Sequence, residues 1–180
     1  PYKVAKCIES LKNNSNIPVT IKHRIGVDSN DSFSNLNYFV RDIKLAGADR
    51  FIVHARKAIL KGLSPKENRT IPPLRYDIVE KLKAKNPDLH IEINGGVTNT
   101  KDCEVALSKF DGVMIGRSAY KHPLKWSNID YLFYKEDFKL KKASTIIFDL
   151  VPYIEKCLIK HGTTWLVCKH LINLLEGIPN

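Results

Sequence analysis

His90-Ile-Glu-Ile-Asn94-Gly95-Gly96, followed by Asp111-Gly-Val-Met-Ile115-Gly116-Arg117, decides the fold. Each stretch is a short apolar run broken by glycine, the pattern of a buried strand that stops at a turn. Between them Asn99 or Thr100 can cap a helix that continues through Leu107. A strand, a helix and a second strand in that order make a parallel βαβ unit.

The same alternation runs upstream. Val4 to Leu11 has helical spacing, with Val4, Cys7, Ile8 and Leu11 on one face. Pro18 to Arg24 is β-rich, and Ser32 can cap a helix from Phe33 to Ala46. Arg50 to Ala55 reads as a strand, Arg56 to Pro73 as a long polar loop, and Tyr76 to Lys85 as a helix. A loop that long in a compact domain is usually functional or mobile. Beyond His122-Pro123 no strand pattern remains, only helical stretches around Phe138–Lys160 and Trp165–Glu176. The expected organisation is α/β over residues 1–122 and all-α over 123–180.

The polar residues that stand out follow the strands' C-terminal ends: Lys22 and Arg24, His54 and Arg56, Asn94 with its glycines, then Gly116 and Arg117. A TIM barrel builds its active site on that rim. A doubly wound sheet would concentrate its ligand at one switch point. Residues of this kind on all four strands favour barrel units, and a barrel needs twice as many strands.

The formal net charge is +10, from 29 Lys+Arg against 19 Asp+Glu. Such a balance suits a polyanionic partner, although a lysine-rich solvated surface gives the same number. Cys7, Cys103, Cys157 and Cys168 form no Cys-x-x-Cys pair and no zinc spacing, so neither a disulfide framework nor a structural metal is expected. No apolar run reaches the roughly 20 residues that span a bilayer. These features lead to a cytoplasmic expectation; an organellar address stays open because a targeting segment would precede Pro1.

Glycines after a strand let backbone N–H groups approach a phosphate, and the last two loops of a TIM barrel often form such a site. Arg117 would add charge there. The bland alternative is two turns that merely require glycine. Lys22, in a strand of Val19, Thr20 and Ile21, can stabilise negative charge on a bound ring, or be one surface lysine among many. His54 ends an apolar strand, where a satisfied core histidine is the ordinary outcome; Arg56 beside it and Lys22 on the same rim tip the reading toward a ligand contact.

At this point a family resemblance becomes close. Pro18-Val-Thr-Ile-Lys-His-Arg-Ile-Gly26, His54-Ala-Arg-Lys-Ala58, Gly62-Leu-Ser-Pro-Lys-Glu-Asn-Arg69 and Ile71-Pro-Pro73 resemble the tRNA-dihydrouridine synthases, A subfamily. Ile93-Asn-Gly-Gly96 and Gly112-Val-Met-Ile-Gly-Arg117 continue the match, and Lys169-His170 with Gly177-Ile-Pro179 resembles the family's C-terminal helical domain. The Leu-Ser-Pro-Lys-Glu-Asn-Arg stretch is highly specific; the Gly-Gly and Gly-Arg turns are shared with many FMN barrels.

The resemblance implies the second half of an FMN-binding TIM barrel, followed by a small tRNA-binding helical domain. It implies reduction of uridine to 5,6-dihydrouridine in the tRNA D-loop, with NADPH reducing FMN. Lys22 and His54 would contact the flavin; Asn94, Gly95, Gly96, Gly116 and Arg117 would hold its ribityl chain and phosphate. Lys66 and Arg69 match tRNA-touching positions, and Lys169 stands where the family usually has an arginine, so its charge persists without the bidentate fork. Arg24 and Arg56 are weaker candidates for the flipped uridine or its backbone. The full-length enzyme is expected to be a monomer.

The family's general acid is a cysteine in a Gly-Cys-Pro motif, expected upstream of Pro1, so no catalytic residue is assigned within this chain. Residues 1–180 alone are expected to be poorly stable and inactive, because half a barrel leaves strand edges open. Two other readings stand beside this one: an FMN-barrel oxidoreductase acting on a small molecule, and a non-catalytic RNA-binding remnant.

Overall fold

The computed structural model describes residues 1–176; the Gly177-Ile-Pro179 motif lies outside them. The chain divides into two compact units, Pro1–Ile115 and a second that begins at Gly116.

The first unit is a parallel sheet with helices between its strands. Helix α1 (Tyr2–Asn13) precedes β1 (Thr20–Arg24), α2 (Phe33–Leu45), β2 (Arg50–His54), α3 (Tyr76–Lys85), β3 (Ile91–Asn94), α4 (Thr100–Leu107) and β4 (Gly112–Met114). The strands lie in chain order, β1-β2-β3-β4, and every pair is parallel. That order never reverses, so the sheet has no switch point, and it fits an arc of a TIM barrel. Helix starts follow the expected chemistry. Ser32 Oγ accepts the Asn35 N–H at 3.2 Å, and Asn99 Oδ1 accepts the Asp102 N–H at 2.9 Å. The Asp102 carboxylate in turn accepts the Thr98 N–H at 2.8 Å, closing the cap of α4 reciprocally.

Strand alternation sorts the sheet into two faces. Ile21, Phe51, Val53, Ile91, Ile93 and Val113 share one face and pack with Leu36, Val40 and Ile43 of α2 and Val79 and Leu82 of α3. Phe51, Val53 and Ile91 are wholly buried there. The opposite face carries Thr20, Lys22, Arg24, Arg50, Ile52, His54, Glu92, Asn94, Gly112 and Met114. Ile52 is buried yet takes no part in the helix-side cluster.

Helix α1 departs from its expected face. Ile8 is buried, but Cys7 and Leu11 are exposed. The helix packs on α2, and a line of contact against one neighbour is narrower than the apolar stripe in the sequence.

His23 interrupts the apolar face. Its ring lies edge-on to Phe39 and Phe51, with centroids 5.1 and 6.4 Å away. Nδ1 bonds the Arg24 carbonyl at 2.9 Å, while Nε2 is buried without a partner. Burial, more than the nearby Lys22 charge, drives the imidazole below its ordinary pKa of 6.5; the Arg24 hydrogen bond only partly opposes this. The folded protein therefore binds this proton less readily than the unfolded chain. Its contribution to stability is complete above about pH 6.5 and is lost as the pH falls toward the folded-state value. The thermal midpoint should drop on acidification through that window, and His23→Leu should flatten the drop. An identical pH profile in the variant would assign the effect to other groups.

In the second unit every element among the described residues is helical. A short α5 (Arg117–Lys121) leads into a 3-10 turn at Pro123–Trp126 and a π turn at Asp130–Tyr134. Helices α6 (Ala143–His161) and α7 (Trp165–Leu171) follow, and a 3-10 turn at Ile172–Leu175 closes the described chain. Helix α6 starts five residues later than Phe138, where the sequence pattern begins, and it carries Pro152 inside it. Trp126 is buried and its indole N–H donates to Ser118 Oγ at 3.1 Å. Tyr120 OH bonds His170 Nδ1 at 2.8 Å, which ties α5 to α7. No helix among the described residues is long and apolar enough to cross a membrane.

Candidate functional site

The C-terminal ends of β1, β2 and β3 bring Lys22, Arg24, His54 and Asn94 together on the sheet face turned away from α2 and α3. Register sets Arg24 beside His54 and His54 beside Asn94. Asn94 is held there by its own amide, whose Nδ2 donates to the Met114 carbonyl at 2.8 Å. Lys22 is exposed, and its ammonium is pulled below its ordinary pKa by the burial it does have and by the Arg24 charge.

Gly95 and Gly96 adopt φ of +111° and +76°, which L side chains rarely adopt. A Cβ on Gly95 would stand 2.6 Å from His54 Cδ2 and 3.0 Å from Leu74 Cδ2. The turn therefore needs glycine for its own conformation as well as for any close approach by a ligand. Gly116 is different: its φ is negative, and a Cβ there would meet nothing within 4 Å. Gly116 and Arg117 belong to the second unit, and both are exposed.

Arg24 and Arg56 organise the long loop. Arg24 Nη1 donates to the Lys57 carbonyl at 2.7 Å and to the Asn68 carbonyl at 2.9 Å. Arg56 Nη1 donates to the carbonyls of Thr70 and Pro72, and its Nε is buried without a partner. Burial, then the charges of Arg56 and Arg69, pull the Arg24 guanidinium below its ordinary value, so three guanidinium groups crowd this rim.

Inside the loop the residues of the Leu63–Arg69 motif serve the backbone. Asn68 Oδ1 accepts the Ile59 N–H at 2.7 Å, and Nδ2 donates to the carbonyls of Ile59 at 2.7 Å and Leu63 at 3.3 Å. The Glu67 carboxylate accepts from Ser64 N at 2.8 Å and Ser64 Oγ at 2.6 Å, and a 3-10 turn forms at Glu67–Arg69. Lys66 and Arg69 are exposed on this framed loop. In the second unit Lys169 is exposed on α7.

Two features escaped the sequence. The loop's framework depends on Asn68, which the sequence offers only as one member of the Leu63–Arg69 motif, with no sign of this role. The site-bearing face also carries an ion pair at its other end, Arg50 Nη1 to Glu92 Oε1 at 3.2 Å, with His90 Nε2 3.2 Å from the same oxygen. Alternating charge at Arg50 and Glu92 within apolar strands is the signal that would have found it.

The residues of the first unit suit an anionic, phosphate-bearing ligand: a cation-rich rim, a buried guanidine N–H left without an acceptor, and a turn too tight for any Cβ. The family model described as dihydrouridine synthase matches residues 1–180. Among the most similar curated proteins is one named tRNA-dihydrouridine(20/20a) synthase from Synechocystis sp., 46% identical over 180 residues. It is matched over 99% of this chain and 54% of its own length. Proteins of the same name from Pseudomonas putida and Shewanella oneidensis are 43% and 42% identical, over 98% and 99% of this chain and 53% of their own length. The chain thus spans about half the length of the curated relatives it matches.

Proposed function

Because the chain belongs to the dihydrouridine synthase family, we propose that it supplies the FMN-holding and tRNA-facing part of an enzyme that reduces uridine to 5,6-dihydrouridine in the D-loop of tRNA. The observation that carries this reading is the gathering of Lys22, Arg24, His54 and Asn94 on the sheet face opposite the helices. A closed barrel turns that face inward.

FMN, when bound, would supply two-electron chemistry, with NADPH as the reductant and uridine as the hydride acceptor. Lys22 would offer a cation to the negative charge of a reduced ring system; partial burial and the Arg24 charge already lower its pKa. His54 packs against the Gly95 turn and fixes the rim's edge. Asn94, Gly95 and Gly96 offer an amide and backbone N–H groups to the ribityl chain and phosphate. Gly116 and Arg117 are assigned the same role from their Gly-Arg turn alone. Lys66, Arg69 and Lys169 provide exposed charge for the tRNA backbone, with Arg24 and Arg56 nearer the base. Phosphate neutralisation of this kind makes affinity fall steeply with salt.

We assign no proton donor within the chain. Cys103 lies buried in α4, where burial and then the Asp102 and Glu104 charges raise its thiol pKa.

Flavin titration of the complete polypeptide that carries these residues tests the reading, followed by analysis of dihydrouridine in tRNA. A yellow complex is expected, with Lys22→Ala weakening FMN by about tenfold. A protein that binds tRNA but never flavin would favour the non-catalytic RNA-binding reading instead. Flavin binding without tRNA affinity would favour a small-molecule oxidoreductase.

A further inference from the structure

We infer that Tyr76 is a positioning residue for the Gly95–Gly96 turn, acting through a hydrogen bond rather than through contact with the ligand. This inference rests on reading Asn94–Gly96 as part of the FMN phosphate site.

Tyr76 is the first residue of α3, and its hydroxyl donates to the Gly95 carbonyl. Burial, then the nearby Asp102 carboxylate, raises the phenol's pKa, so it stays protonated and remains a donor across the physiological range. The described chain contains no cis peptide bond. In a trans peptide the C=O and the following N–H point in opposite directions. Holding the Gly95 oxygen against Tyr76 therefore aims the Gly96 N–H away from α3.

Two adjacent glycines are the pair least able to hold that orientation alone, because neither has a Cβ to restrict its backbone. His54 and Leu74 press on Gly95, and Leu74 also on Gly96, but the hydrogen bond to the Gly95 carbonyl comes from Tyr76. On the α3–α4 side lies an open cleft of about 490 Å³, lined by Tyr76, Ile93, Gly96, Val97, Asp102 and Val105 among others. A released peptide has room to rotate there. The same closeness explains Gly96, where a Cβ would stand 2.7 Å from the Tyr76 oxygen. Glycine at 96 and tyrosine at 76 form one device: the first allows the turn, and the second chooses its direction.

The test compares FMN with riboflavin, which lacks the phosphate, in the complete polypeptide and in its Tyr76→Phe variant. Loss of one hydrogen bond should weaken FMN by about fivefold while riboflavin affinity holds. The ³¹P resonance of bound FMN should shift in the variant. Val105→Ala alters the same cleft without touching Gly95, and it should leave both affinities and the resonance unchanged. Equal weakening of FMN and riboflavin, or no weakening of either, would overturn the role of Tyr76 while leaving the phosphate site standing. An unaltered protein that binds riboflavin as tightly as FMN would overturn the phosphate site itself, and this inference with it.

Discussion

Gly95→Ala is expected to destabilise the first unit by about 2–4 kcal/mol, a large share of what a domain this size can lose. Two costs combine. The residue must hold φ at +111°, and its new methyl group would stand 2.6 Å from His54 Cδ2 and 2.9 Å from His54 Nε2. Leu74 Cδ2 stands 3.0 Å from the same methyl position, so the ring and the leucine would both have to move. His54 must swing off the rim or the turn must open, and either change also removes a proposed flavin contact. Denaturant unfolding monitored by circular dichroism measures the loss. An unchanged midpoint would mean the turn adapts more freely than this packing allows.

Asn68→Ala should have its largest effect on the loop of residues 56–73, with opening of that segment favoured by about 2–3 kcal/mol. The side chain satisfies both the N–H and the carbonyl of Ile59 and reaches the Leu63 carbonyl. Alanine leaves those groups without partners, and they regain them only by moving into water. Arg24 loses its 2.9 Å anchor on the Asn68 carbonyl as the backbone shifts. The expected result is rapid proteolytic cleavage within the loop while hydrogen exchange in the four strands stays slow. Under the proposed function, tRNA affinity falls as well, because Lys66 and Arg69 ride on the freed segment. Protection of the loop equal to that of the unaltered protein would show that Arg24 and Arg56 hold it unaided.

These two residues show where the sequence was readable and where it was not. The Asn94-Gly-Gly96 turn announced itself, since a strand that stops at two glycines is a local pattern. Helix α3 has the bounds its spacing predicts, Tyr76–Lys85, and Ser32 and Asn99 cap the helices they precede. Asn68 was legible only as part of a family motif. Its partners lie five and nine residues away, and Arg24 reaches the loop across 33 and 44 residues. Contacts from side chain to distant backbone leave no periodicity to detect. The same holds for α1, where the apolar stripe was plain but the width of its contact was not, so Cys7 and Leu11 proved exposed. Part of the motif's specificity is architectural: Ser64, Glu67 and Asn68 shape the loop, and Lys66 and Arg69 are what it displays.

The register of the sheet also has an arithmetic side. On β1 to β4 the face opposite the helices is occupied by even-numbered residues throughout, from Thr20 to Met114, and the helix-packed face by odd-numbered ones. Selection on these strands is thereby split by parity. Under the proposed function, a change at an odd position is expected to be answered in folding yield, and one at an even position toward a strand's C-terminal end in ligand binding. Drift at one set can proceed without retuning the other, so the same scaffold can change what it binds while its core stands still.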